Sequence, residues 1–141
     1  MAEIKEVELS LVNQKLHFIG KCGSNAPIDM DYVPPLGDGL GYTGLELFLL
    51  SLAGCSGSTV LALLRRMKKT VSGFEVKAKG VRRDRHPTSF EKITLEFIVK
   101  SNNANDADIE NAIKLSEETF CPVWAMVKNN VDIDTVFKII A

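Results

Sequence analysis

Apolar and polar residues alternate along Glu3–Val12, with Ile4, Val7, Leu9 and Leu11 set among charged or polar neighbours. A period of two predicts a strand. Asn13-Gln14 reads as a two-residue hairpin turn, after which Lys15–Gly20 returns as a second strand with Leu16 and Phe18 facing one way. Cys22-Gly23-Ser24-Asn25 is a loop, and Ala26–Tyr32 is a short third strand. The run Pro34-Pro35-Leu36-Gly37-Asp38-Gly39-Leu40-Gly41 then breaks regular structure.

From Leu47 to Leu64 the pattern changes: 18 residues carry no charge. Thr43 and Glu46 precede them with capping-box spacing, in which each side chain satisfies a backbone N–H of the other. A helix is predicted from this cap to about Lys69, its basic Arg65-Arg66-Met67-Lys68-Lys69 end suiting the negative pole of the helix dipole. Alternation resumes in Phe74–Arg82 and, after a polar turn, in Phe90–Lys100, where Ile93, Leu95, Phe97 and Val99 share one face. Asn105 is placed to cap a second helix, with Asp106 and Asp108 in its first turn and Ile109, Ala112, Ile113, Ser116 and Phe120 as its apolar stripe. Cys121-Pro122 interrupts it. Proline is poor inside a helix and favoured at its first position, so Cys121 is expected to cap a new helix, Pro122–Asn129. Val131–Ile140 reads as a last strand. The order β-β-β-α-β-β-α-α-β is that of an α+β fold with mainly antiparallel sheets packed around a long central helix, in a single domain 1–141.

Composition narrows the function classes. Net charge is −1, so bulk charge gives no reason to expect nucleic acid or an anionic membrane as partner. The uncharged run reaches the lower length limit of a membrane span, but its two glycines and four hydroxyl residues favour a buried central helix. The opening M-A-E-I-K-E-V-E-L-S has no uninterrupted apolar core and does not read as a signal peptide. Three cysteines leave at least one thiol unpaired and point to a reducing, cytoplasmic setting.

Each thiol has its own chemistry. At a helix N-cap, unpaired N–H groups stabilise a thiolate, which makes Cys121 a candidate; the alternative is a small buried hydrophobe at a kink. Cys55 sits mid-helix in Ala53-Gly54-Cys55-Ser56-Gly57, where apolar surroundings raise a thiol's pKa. Taken alone it reads as a core residue, but its small neighbours remove bulk around the sulfur, so that another backbone, a substrate or a second thiol can approach closely. Glu46 stands nine residues upstream, about two and a half turns, on or near the face carrying Cys55; it is either the capping acid or a group that orients a base or cation over the sulfur. Cys22, beside Lys21, is taken as incidental. His17 and His86 show no metal-ligand spacing with the cysteines, so neither a metal nor a cofactor is expected. Arg82, Arg83 and Arg85 crowd one hairpin, as a solvated loop or as cations near a thiol.

Three motifs, G-x-x-x-x-E-L-x-L-x-x-L-A-G-C at Gly41–Cys55, H-P-x-x-F at His86–Phe90 and F-C-P-V at Phe120–Val123, together resemble the OsmC/Ohr family of osmotically induced and organic hydroperoxide resistance proteins. The resemblance runs through essentially the whole chain. It implies an intertwined homodimer with sites between subunits. It further implies that Cys55 attacks an organic hydroperoxide, that Cys121 resolves the sulfenic acid as a disulfide, that Glu46 is the family's helix acid, and that a lipoyl-type or other dithiol is the reductant. The peroxidase branches carry an N-terminal arginine that pairs with this acid; this chain has no arginine before Arg65, only Lys5, Lys15 and Lys21. Trp124 follows Cys-Pro-Val where many members have a small polar residue. The sequence thus resembles a less characterised OsmC-like branch.

The expectation is a thiol-dependent redox protein reducing organic hydroperoxides through Cys55, Cys121 and Glu46, with Arg85 or an early lysine as the cation. One alternative is a binding protein holding a small apolar or thiol-bearing ligand in the dimer-interface pocket without turnover. Another is a structural dimer with inert thiols.

Overall fold

The computed structural model describes residues 2–141, which form two compact units, one ending at Phe48 and the other running from Leu49 to Ala141. In the first, β1 (Glu8–Leu11), β2 (Phe18–Lys21) and β3 (Ile28–Met30) form an antiparallel meander in that order. These strands are shorter than their alternation predicts. The expected two-residue turn is a longer loop, in which the Asn13 side chain accepts from the N–H groups of Lys15 and His17 and the Val12 N–H reaches the His17 carbonyl. An asparagine that binds nearby N–H groups competes with the ladder, and this moves the start of β2 to Phe18.

Asp31 organises the loop after β3. It is buried, and its carboxylate accepts from the N–H groups of Tyr32 at 2.7 Å, Asp38 at 3.2 Å and Leu40 at 3.1 Å. Burial pushes this carboxyl up, but the three donors and nearby His17 outweigh it and leave it below its ordinary value. Only glycine fits at 37, where a Cβ would stand 2.3 Å from the Tyr32 carbonyl oxygen.

Helix α1 (Gly44–Arg66) begins in the first unit and has most of its length in the second. Its start is the capping box expected: the Glu46 carboxylate accepts from the Thr43 N–H at 2.8 Å, and the Thr43 hydroxyl from the Glu46 N–H at 3.3 Å. By length and composition α1 could cross a membrane, and 39% of its apolar window is buried within the structure. In the second unit the buried face comprises Leu52, Ala53, Ser56, Gly57, Val60, Leu63 and Leu64. Gly57 lets the helix approach β4, since a Cβ would come 3.0 Å from Val76 Cγ2 and 3.4 Å from the Phe74 ring.

The second sheet has the order β4 (Gly73–Arg82), β5 (Phe90–Lys100), β6 (Asp132–Ile140). β4 and β5 form the expected hairpin, with an irregularity at Val81/Arg82. β6 returns parallel to β5, an exception to the antiparallel pattern made possible by the helical crossover between them. That crossover is α2 (Asp106–Leu115), a π-helical turn (Ser116–Phe120) and α3 (Pro122–Val127). Asn105 caps α2 reciprocally with Asp108, both bonds at 3.0 Å. β5 supplies the centre of the core: Ile93, Leu95, Phe97 and Val99 are fully buried, as are Ile109, Ala112 and, at 1% exposure, Trp124. Burial of each large apolar side chain contributes about 1.5–3 kcal/mol. The wide turn, closed by a bond from the Cys121 N–H to the Ser116 carbonyl, carries Phe120 off the α2 stripe and leaves it 48% exposed.

Candidate functional site

Cys121 is built by the Cys-Pro sequence. Proline at the first helical position starts α3, and Cys121 precedes it in extended conformation, φ −86° and ψ 108°, its sulfur accepting the Trp124 N–H at 3.4 Å. The residue is 2% exposed.

Cys55 projects from the middle of α1 and is half-buried. The Cys121 side chain and the Val123 backbone N–H both lie close enough to Cys55 to shift its thiol, which makes the two thiols neighbours across 66 positions of sequence. Burial pushes the Cys55 thiol up, the Val123 N–H opposes it, and the Cys121 thiol adds to the rise. All three cysteines are free thiols.

Sequence reasoning passed over Ser56 as one more small residue. It is fully buried, and its hydroxyl lies 3.5 Å from the Cys121 sulfur. The available signal was a hydroxyl directly beside a thiol in an uncharged window. The glycines have another purpose than clearance around Cys55: Gly57 faces β4, and Gly54 lines a groove of about 330 Å³ with Leu50, Phe74 and Val76. On the helix face that carries Cys55, one turn further on, a second groove of about 290 Å³ is lined by Ser58, Thr59, Ala62, Leu63 and Arg66, with Phe120 completing it.

Glu46 is exposed and bound into the capping box. Nine residues of helix are two and a half turns, half a turn out of phase, so the acid leaves α1 on the side opposite Cys55. This corrects the expectation that the two share a face. Of the hairpin arginines, Arg82 donates to the Thr88 carbonyl and hydroxyl, and Arg83 to the Pro87 carbonyl, so both serve the turn. Arg85 makes no hydrogen bond or ion pair among the described residues. Cys22 lies exposed in the first unit, lining an apolar groove with Leu9, Ile28 and Met30. His17 pairs with Asp29 at 2.8 Å. Among the described residues no three His, Cys, Asp or Glu side chains converge as a metal site.

Residues 37–136 match the sequence profile of a family described as OsmC-like protein. Protein YhfA of Escherichia coli K12 is 32% identical to the chain over 132 residues, covering 89% of this chain and 92% of YhfA. A hypothetical protein from Aquifex aeolicus VF5 superposes with a TM-score of 0.86 at 31% identity, covering 98% of this chain and 97% of that one. An organic hydroperoxide resistance protein from Legionella pneumophila, also named a predicted redox protein, shares the fold with a TM-score of 0.71 at 15% identity, covering 98% of each chain.

Proposed function

This chain belongs to the OsmC-like protein family, and we propose that within it Cys55 and Cys121 act as a thiol redox pair that reduces organic hydroperoxides. The observation that carries the reading is the nearness of the Cys121 side chain to the Cys55 thiol, with the Val123 N–H close by. Cys55, the more accessible of the two, attacks the terminal peroxide oxygen. The O–O bond breaks, the alcohol leaves with a proton, and Cys55 becomes a sulfenic acid. The Cys121 sulfur then attacks the Cys55 sulfur, an S–S bond forms, and water leaves. A dithiol restores both thiols and is itself oxidised to a disulfide. The groove along Thr59, Ala62, Leu63 and Phe120 offers apolar wall to the organic part of the peroxide. Glu46 keeps its capping role and takes no part in these steps.

Two further elements belong to this reading. A second copy of the chain would cover the apolar residues that the first unit leaves exposed, among them Val7, Leu9, Leu11, Leu36 and Tyr42. A reducing cytoplasm would keep Cys22, Cys55 and Cys121 as thiols.

One observation favours a second reading, a non-catalytic binding protein for a small apolar or thiol-bearing ligand: the rise in the Cys55 pKa lowers its thiolate fraction at neutral pH. The test follows loss of cumene hydroperoxide with dithiothreitol or a lipoyl dithiol for wild type, Cys55→Ser and Cys121→Ser. Turnover that collapses in Cys55→Ser supports the enzyme. Equal slow rates in all three, with saturable ligand binding retained, support the binding protein.

A further inference from the structure

Ser56 brings a buried hydroxyl to the sulfur of Cys121. It follows Cys55 directly on α1, is fully buried, and places its oxygen 3.5 Å from the Cys121 sulfur. The two sulfurs differ in surroundings. Cys55 is half-buried, whereas Cys121 is 2% exposed and is contacted by both the Ser56 hydroxyl and the Trp124 N–H. While both groups are neutral, either the hydroxyl or the thiol can donate in the Ser56–Cys121 bond. Once Cys121 carries a negative charge only Ser56 can, and a bond to a charged acceptor is the stronger kind.

We infer that Ser56 is a positioning residue that makes Cys121 the leaving sulfur when a Cys55–Cys121 disulfide is reopened by a thiol. The inference rests on the redox-pair reading above. The thiolate of the incoming reductant attacks the accessible Cys55 sulfur. The S–S bond breaks, and its electron pair stays on Cys121, whose new charge meets the hydroxyl of Ser56 and the N–H of Trp124. A mixed disulfide remains on Cys55. The second thiol of a dithiol reductant, deprotonated, attacks the reductant's own sulfur and expels Cys55 as thiolate. The protons given up by the dithiol end on the two cysteines, so one disulfide is reduced and one formed. Exchange is faster when the departing thiolate is better stabilised, and attack is confined to the sulfur that can be reached.

The experiment forms the disulfide with diamide, so that it does not depend on peroxide turnover. Reduction by dithiothreitol is timed in wild type, Ser56→Ala and Ser56→Thr, with thermal unfolding of each measured alongside. Removing the hydroxyl is expected to slow reduction roughly tenfold, and threonine, which keeps it, to stay within about twofold of wild type. On wild-type protein, a substoichiometric pulse of 2-mercaptoethanol, acid quench and peptide mapping is expected to find the adduct on Cys55. Equal reduction rates in wild type and Ser56→Ala overturn the assignment, as does an adduct on Cys121, which needs no variant to fold. Failure of diamide to link Cys55 to Cys121 overturns the redox pair itself, and Ser56's role with it.

Discussion

The Val123 backbone N–H, in the first turn of α3, lies close enough to Cys55, in the middle of α1, to favour its thiolate. It opposes the effects of burial and of the neighbouring Cys121 thiol, and the balance leaves the Cys55 thiol above its ordinary value of 9.0. Alkylation of Cys55 by iodoacetamide, followed by peptide mass spectrometry in Cys22→Ser protein, should therefore still be accelerating as the pH passes 9.0. A rate that levels off near neutrality would contradict this.

Glu46 separates two roles that one acid could hold. Glutamine serves a capping box as well as glutamate does, so Glu46→Gln should leave both thermal stability and peroxide-driven disulfide formation nearly unchanged. Thr43→Ala, which removes the other half of the box, should cost about 0.5–2 kcal/mol by denaturant unfolding. A Glu46→Gln protein of wild-type stability that no longer reacts with peroxide would return the acid to the chemistry.

Asp31 ties stability to acid pH. Its folded carboxyl lies below the ordinary 3.8, so the unfolded chain takes up the proton first. The contribution is fully present above 3.8 and is lost as pH falls through the lower folded value. Melting temperature should drop over that acid range in wild type, and Asp31→Asn should be less stable at neutral pH with a shallower acid decline. Parallel acid profiles for the two proteins would remove Asp31 from the explanation.

The Phe90 ring lies against Gly80 in the β4–β5 hairpin, where a Cβ at 80 would stand 2.4 Å from it. Phe90 is 9% exposed and has little room to retreat. Gly80→Ala should cost roughly 1–3 kcal/mol by urea unfolding, the usual penalty for overpacking. An unchanged midpoint would show that the ring moves freely.

The Phe120 ring is half-exposed and lines the groove formed with Ser58, Thr59, Ala62, Leu63 and Arg66. Phe120→Ala should lower the rate of disulfide formation with cumene hydroperoxide by about tenfold, the effect of losing one aromatic contact, and leave hydrogen peroxide nearly unaffected. Equal losses with both oxidants would point away from the groove as the binding site.

Local chemistry made several features legible from sequence. The capping boxes Thr43–Glu46 and Asn105–Asp108 form as their spacing requires, because each is completed within one turn of chain. The β5 bounds Phe90–Lys100 coincide with its alternation, and Cys121-Pro122 starts a helix for reasons internal to proline. The resemblance carried by Gly41–Cys55 and Phe120–Val123 named the family that the chain belongs to.

Side-chain direction and distant partners were a matter for the tertiary structure. Alternation marks a strand but not its neighbour, so only the folded second unit sets β6 parallel to β5. A cluster of small residues does not say which group it makes room for, and Gly57 turned out to serve the approach of β4. The early alternation overran its strands because Asn13 diverted backbone N–H groups that a ladder would have used. The sequence alone placed one thiol at a helix cap and another in the middle of an uncharged helix. Folding decided that they lie close together, and that Ser56, rather than another hydroxyl of the same helix, carries its oxygen to Cys121. Contacts across 65 positions depend on how α1 and α3 pack, and no period along the chain encodes that.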